Sequence, residues 1–101
     1  MFIPSGPVVR RVIALYLAGT RGGPVRLKIL GLIQAHPRNI NDIAAKLGLD
    51  YKTVQHHMRV LEKSGMVVST KKKYDNAYGL SELLKANVLM LAELTKDVGK
   101  R

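Results

Sequence analysis

The residues best suited to chemistry in this chain are basic, and their spacing collects them on one side of a short helix. Between residues 50 and 64, Val54, His57, Met58 and Leu61 recur at i, i+3, i+4 and i+7, the spacing of one helical face that docks on other helices. Lys52, Gln55, His56, Arg59 and Lys63 then fall on the opposite face, and Tyr51, Lys52 and Thr53 occupy the first turn. Lys and Arg reach phosphate oxygens and guanine edges, and a Gln amide pairs bidentately with adenine. The positive end of the helix dipole adds to phosphate affinity at the first turn. These side chains suit the reading of a major groove. The competing reading, an ordinary solvated stripe, is disfavoured by the near absence of acids on that face.

A second basic cluster, Lys71, Lys72 and Lys73 followed by Tyr74, suits sugar-phosphate or minor-groove contact, although a lysine-rich tip also protects an exposed strand edge. The chain carries 17 Lys and Arg against 7 Asp and Glu, a formal charge of +10. Residues 46–73 alone hold seven basic and two acidic side chains, so about half of the excess lies on the expected contact surface. Such a field attracts polyanions, either nucleic acid or an anionic membrane.

Other chemistries lack their residues. There is no cysteine, which excludes disulfides, thiolate zinc sites and thiol nucleophiles, and the default location is the cytoplasm. His56 and His57 are adjacent on a helix and point in different directions, while His36 ends another helix, so no metal site is expected. His57 reads as a hydrogen-bonded core histidine, and His56 as a DNA contact whose strength varies near neutral pH. No phosphate-binding glycine loop or His-Glu zinc motif occurs, so neither an enzyme nor a cofactor is expected. The apolar run Val8–Gly19 is interrupted by an Arg pair and falls short of the ~20 residues of a membrane span.

The elements that must position the basic face are legible around it. Pro24 to about Ala35 reads as a core helix with Val25, Leu27, Ile29, Leu30 and Ile33 inward, ended by His36-Pro37. Asn39 caps a short helix bearing Ile43, Ala44 and Leu47 inward, with Asp42 expected to reach back as in a capping box and Gly48 ending it. Asp50 caps the next helix, which runs to about Ser64 with Gly65 closing it; two helices hinged three residues apart are a helix-turn-helix. Met66–Thr70 and Ala77–Leu80, separated by the turn signal Asp75-Asn76, read as a β-hairpin with a basic tip.

At the ends, Val8, Val9, Val12, Ile13, Leu15, Tyr16 and Leu17 form one apolar helix, and Ser81 caps another in which Leu84, Val88, Leu91, Thr95 and Val98 step as a coiled-coil seam, widened by Leu83, Met90 and Leu94. Both have more apolar surface than one core consumes. Val9, Val12, Ile13, Tyr16, Leu84, Val88, Leu91 and Leu94 are therefore expected to pair two copies, although the same helices could close a monomeric core. The expected organisation is an N-terminal dimerisation helix over 1–20, a DNA-binding unit over 21–80 and a C-terminal dimerisation helix over 81–101. The fold class is mainly α with a small β-hairpin, a winged helix-turn-helix with additional N- and C-terminal helices.

Over roughly residues 20–80 the chain resembles the ArsR-like family of winged helix-turn-helix regulators. Pro24–Leu30 is similar to that family's first core helix, Asn41–Leu49 to its positioning helix and turn, and Thr53–Val67 to its recognition helix, glycine and first wing strand. The resemblance implies binding to double-stranded DNA and dimerisation through terminal helices. Family members that sense metals use a cysteine pair or Asp and His ligands on the last helix. This chain has no Cys, and Ser81–Arg101 has no His, so the resemblance does not extend to metal sensing. The alternatives to a sequence-specific regulator are a protein-interaction adaptor, in which the terminal helices bind another polypeptide, and a basic architectural or membrane-surface protein without sequence preference.

Overall fold

The computed structural model describes Ile13, Leu17, residues 21–70 and residues 76–87. Within residues 21–87, the described elements in order are α1 (Gly23–Ala35), α2 (Ile40–Leu47), α3 (Tyr51–Lys63), β1 (Val67–Ser69), β2 (Tyr78–Leu80) and α4 (Glu82–Lys85). This is the mainly helical winged helix-turn-helix expected from the sequence, and α1 through β2 begin and end close to where their local signals place them.

Those signals act at identifiable atoms. Pro24 lies in the first turn of α1, where its missing N–H costs nothing, and His36 takes an extended conformation before Pro37. Asn39 accepts a 2.7 Å hydrogen bond from the Asp42 backbone N–H and starts α2. Asp42 does not complete the reciprocal half of a capping box; its carboxylate accepts from Arg38 Nη1 at 2.7 Å. A guanidinium one residue before the cap offers a charge-assisted bond, which outweighs a neutral backbone donor. We expect Asn39→Ala to cost about 1 kcal/mol, measured by urea denaturation, because it orphans a donor of the first turn.

The turn between α2 and α3 depends on Gly48, whose φ of +67° is left-handed and whose N–H returns to the Ala44 carbonyl. Gly65, at φ +79°, does the corresponding work after α3 and turns the chain into the hairpin. There β1 and β2 pair antiparallel, with Val67 opposite Leu80 and Ser69 opposite Tyr78. Arg38 adds an isolated rung on the other side of β2 that the sequence did not signal, exchanging both backbone hydrogen bonds with Tyr78 at 3.1 and 2.8 Å. The hairpin is thereby tied to the loop between α1 and α2.

The core joins Leu27, Ile29, Leu30 and Ile33 of α1, Ile43 of α2, Val54, Met58 and Leu61 of α3, and Met66, Val67 and Leu80 around the hairpin. Val25 and Leu47, expected inside, are half-buried at its margin. Ile13 and Leu84, expected at an interface between copies, lie in this same core, Leu84 with no exposed surface. Heptad spacing marks an apolar face but not which surface covers it, and here the chain's own body covers those two side chains. Ser81 caps α4 as expected, but α4 closes at Lys85, where the Asn87 side chain donates to the Leu83 carbonyl at 2.8 Å. Val9, Val12, Tyr16, Val88, Leu91 and Leu94 lie outside the described residues. Among the described residues, no helix is long and apolar enough to cross a membrane.

Candidate nucleic-acid interface

The helix α3 is fixed at its start, along its back and at its end. At the start, Asp50 accepts from the Thr53 backbone N–H at 3.4 Å and from the Thr53 hydroxyl. The Thr53 hydroxyl is thus engaged in the cap. These bonds favour the charged carboxylate and hold Asp50 below the usual carboxylate range, so the cap is complete above that range and weakens as acid protonates it. Along the back, Val54, His57, Met58 and Leu61 are buried against the core. Each of the apolar ones is worth roughly 1.5–3 kcal/mol of transfer free energy, which sets the rotation of the helix.

With that rotation set, Tyr51, Lys52, His56, Arg59 and Lys63 are exposed, and Gln55 and Thr53 are half-buried. The long donors expected on one face are therefore on one face and open to solvent. Lys71, Lys72, Lys73 and Tyr74 lie outside the described residues. His56 and His57 separate as their spacing implies, one exposed and one buried, with ring centroids 5.7 Å apart.

His57 accepts a hydrogen bond at Nδ1 from Arg26 Nε at 3.2 Å, so the core histidine found by its spacing is hydrogen-bonded to α1. Burial first, then the charges of Arg26 and His56, hold its imidazole below the ordinary histidine range, and it is neutral at pH 7.

Four residues at or behind this surface were not singled out by the sequence. Arg26 is buried at 8% exposure, although arginine is ordinarily a surface residue. Its position on the stripe beside Leu27 and Leu30 was the available signal. Arg38 supplies the extra backbone rung, and nothing in an extended loop residue announces that pairing. Glu62 is exposed and shares a shallow depression with Arg59 and Lys63, placing one carboxylate within the cationic face. Tyr78 stands opposite Ser69 on the tip side of the paired strands, near α3. Burial raises its phenol above the usual range, Glu62 and Tyr51 add to that, and Arg59 opposes it. Its strand assignment was legible, but its face was not.

A family model described as bacterial regulatory protein, arsR family, matches residues 23–69. Among solved structures, the chain is similar to the transcriptional regulator HlyU from Vibrio vulnificus, with 25% identity and a TM-score of 0.68 over 86% of this chain and 88% of that one. HlyU from Vibrio cholerae is similar in fold at 23% identity and TM-score 0.67, covering 86% and 90% of the two chains. A homodimeric winged helix-turn-helix DNA-binding domain from Mycobacterium bovis shares the fold at 21% identity and TM-score 0.61, covering 93% and 91%. No curated protein matches the chain. The glycine-hinged helix pair and the first strand of the hairpin fall within the matched segment, and the chain has the winged helix-turn-helix fold, with residues 23–69 similar to the arsR family of bacterial regulatory proteins.

Proposed function

We propose that the protein is a cytoplasmic, homodimeric regulator of transcription that binds double-stranded DNA sequence-specifically, with α3 in the major groove and the hairpin on the backbone or minor groove. The observation that carries this is the exposed face of α3, where Lys52, His56, Arg59 and Lys63 stand together over a fully packed back. Gln55 beside them supplies a neutral donor and acceptor for base edges. Lys71, Lys72, Lys73 and Tyr74 extend the contact from the wing. The segments 1–20 and 81–101 pair two copies, through Val9, Val12, Tyr16, Val88, Leu91 and Leu94 rather than through the core residues Ile13 and Leu84. A two-fold dimer spaces two such helices by ~34 Å, one turn of duplex. The homodimeric Mycobacterium bovis domain supports that arrangement. The proposal includes no cofactor, metal, membrane or catalytic step.

Selection from random duplexes at physiological salt tests it. The expected product is a palindromic site bound by a dimer, with affinity falling steeply as salt rises. Neutralising Lys71–Lys73 lowers the log–log salt slope by up to ~3. No enrichment over random sequence, or affinity independent of salt, would refute the proposal. Glu62 offers a check of opposite sign. Its carboxylate sits among the cations, so Glu62→Gln should tighten duplex binding by roughly 1.5- to 5-fold in a fluorescence anisotropy titration.

A further inference from the structure

Three residues meet behind α3 in a closed stack. Arg26 Nε of α1 donates to His57 Nδ1 at 3.2 Å, and both residues are only 8% exposed. Gly22, immediately before α1, lies over them. A Cβ placed there would stand 2.8 Å from Arg26 Nη2, 3.0 Å from Arg26 Cζ and 3.0 Å from His57 Cε1, closer than side-chain packing permits. The hydrogen bond and the close approach of the Gly22 backbone couple the pose of the guanidinium to that of the ring. His57 is also the middle of α3, flanked by half-buried Gln55 and exposed His56 on one side and exposed Arg59 on the other.

We propose that Arg26 is a positioning residue for duplex recognition: through its hydrogen bond to His57 it sets the rotation of α3 against α1, and protonation of His57 releases that setting. The inference rests on the reading of α3 as the DNA-contacting helix.

The chemistry is that of a one-way acceptor. Every guanidinium nitrogen of Arg26 can only donate, so the bond requires an unprotonated Nδ1 and places the histidine's proton on Nε2. An imidazolium carries N–H at both positions, so acid removes the acceptor and sets a cation against a cation. Among the described residues, the charged or titratable groups acting on His57 are Arg26 from α1 and His56 from its own helix, and both oppose its protonation. The stabilisation is therefore complete above the ordinary histidine midpoint of about pH 6.5 and declines as pH falls from there toward the lowered midpoint of the folded protein. His56, on the exposed face, is a second imidazole that the comparison has to exclude.

The test removes His56 from the comparison and uses the selected duplex. Affinity is measured for His56→Gln and for His56→Gln/His57→Asn from about pH 7.5 to about pH 5.5 at constant ionic strength. An asparagine amide at this position presents an acceptor near that of Nδ1 and does not titrate. Duplex affinity of the single variant should fall about two- to fivefold relative to the double variant over that range, because the tenfold effect of one unit of midpoint difference is complete only below both midpoints. Parallel profiles would overturn the proposal.

A readout without DNA separates the coupling between helices from the DNA reading of α3. Backbone amide shifts of Gly22, Arg26 and the length of α3 should titrate together in the single variant and remain constant in the double one. Shifts confined to His57 and its immediate neighbours overturn the coupling. Concerted shifts without duplex binding at either pH uphold the coupling between α1 and α3 and overturn the DNA reading of α3. Should His57→Asn prevent folding, His57→Gln serves as the second non-titrating variant. Gly22→Ala crowds the same stack and should weaken duplex binding severalfold at pH 7.5, whereas unchanged binding and unchanged α3 amide shifts would count against the lock.

Discussion

Replacing Lys52, Arg59 and Lys63 together by alanine is expected to weaken binding to the selected duplex by ~10²- to 10³-fold while leaving the melting temperature nearly unchanged. All three side chains are exposed, and substitutions at such positions usually change stability by no more than about 0.5 kcal/mol. Each lost phosphate or base contact is worth roughly 1–1.5 kcal/mol, and three of them account for the stated factor. The log–log salt slope should flatten by about 2–3, because three counterions are no longer released. Anisotropy titrations at several salt concentrations, paired with thermal denaturation, read both quantities. A large affinity loss accompanied by a large fall in melting temperature would mean that these residues hold the fold rather than the DNA.

Leu61→Ala should have the opposite profile. Leu61 has no exposed surface and stands under the last turns of α3, where the helix meets the core that leads into β1. Truncation leaves a cavity and costs ~2–5 kcal/mol, against a total stability of ~5–15 kcal/mol for a domain of this kind. The melting temperature should fall on the order of 10 °C or more, measured by circular dichroism. Duplex affinity of the fraction that remains folded should change little, because Leu61 faces away from the exposed donors. An unaltered melting temperature would show that α3 is not anchored through this face.

The helix pair was legible in the sequence because its punctuation is local. Asn39 and Asp50 cap helices in the conformations their side chains favour, and Gly48 and Gly65 take the left-handed turns that only glycine adopts without strain. The split of α3 into a buried and an exposed side followed from the 3.6-residue period, which decides orientation once one face is apolar. Contacts between distant segments were not legible. The Arg38 rung with Tyr78 spans 40 residues and involves backbone atoms, which every residue type offers. The pairing of Asp42 with Arg38 won over the capping box through charge, a preference that the Ser/Thr-x-x-Glu pattern does not encode. Arg26 was hidden for a related reason: its stripe position was visible, but its hydrogen bond to His57, 31 residues away, was not. Leu84 shows the limit of heptad arithmetic, since the same spacing serves a domain's own core and a contact with a second copy.

Nuclear magnetic resonance titration of the labelled protein with its selected duplex is the most direct trial of where DNA docks. Amides and side-chain signals of Lys52, Gln55, His56, Arg59 and Lys63 should move most, with Lys71–Tyr74 following and the solvent side of α1 around Lys28 and Gln34 still. Perturbations centred on α1, with the outer side of α3 silent, would contradict the account.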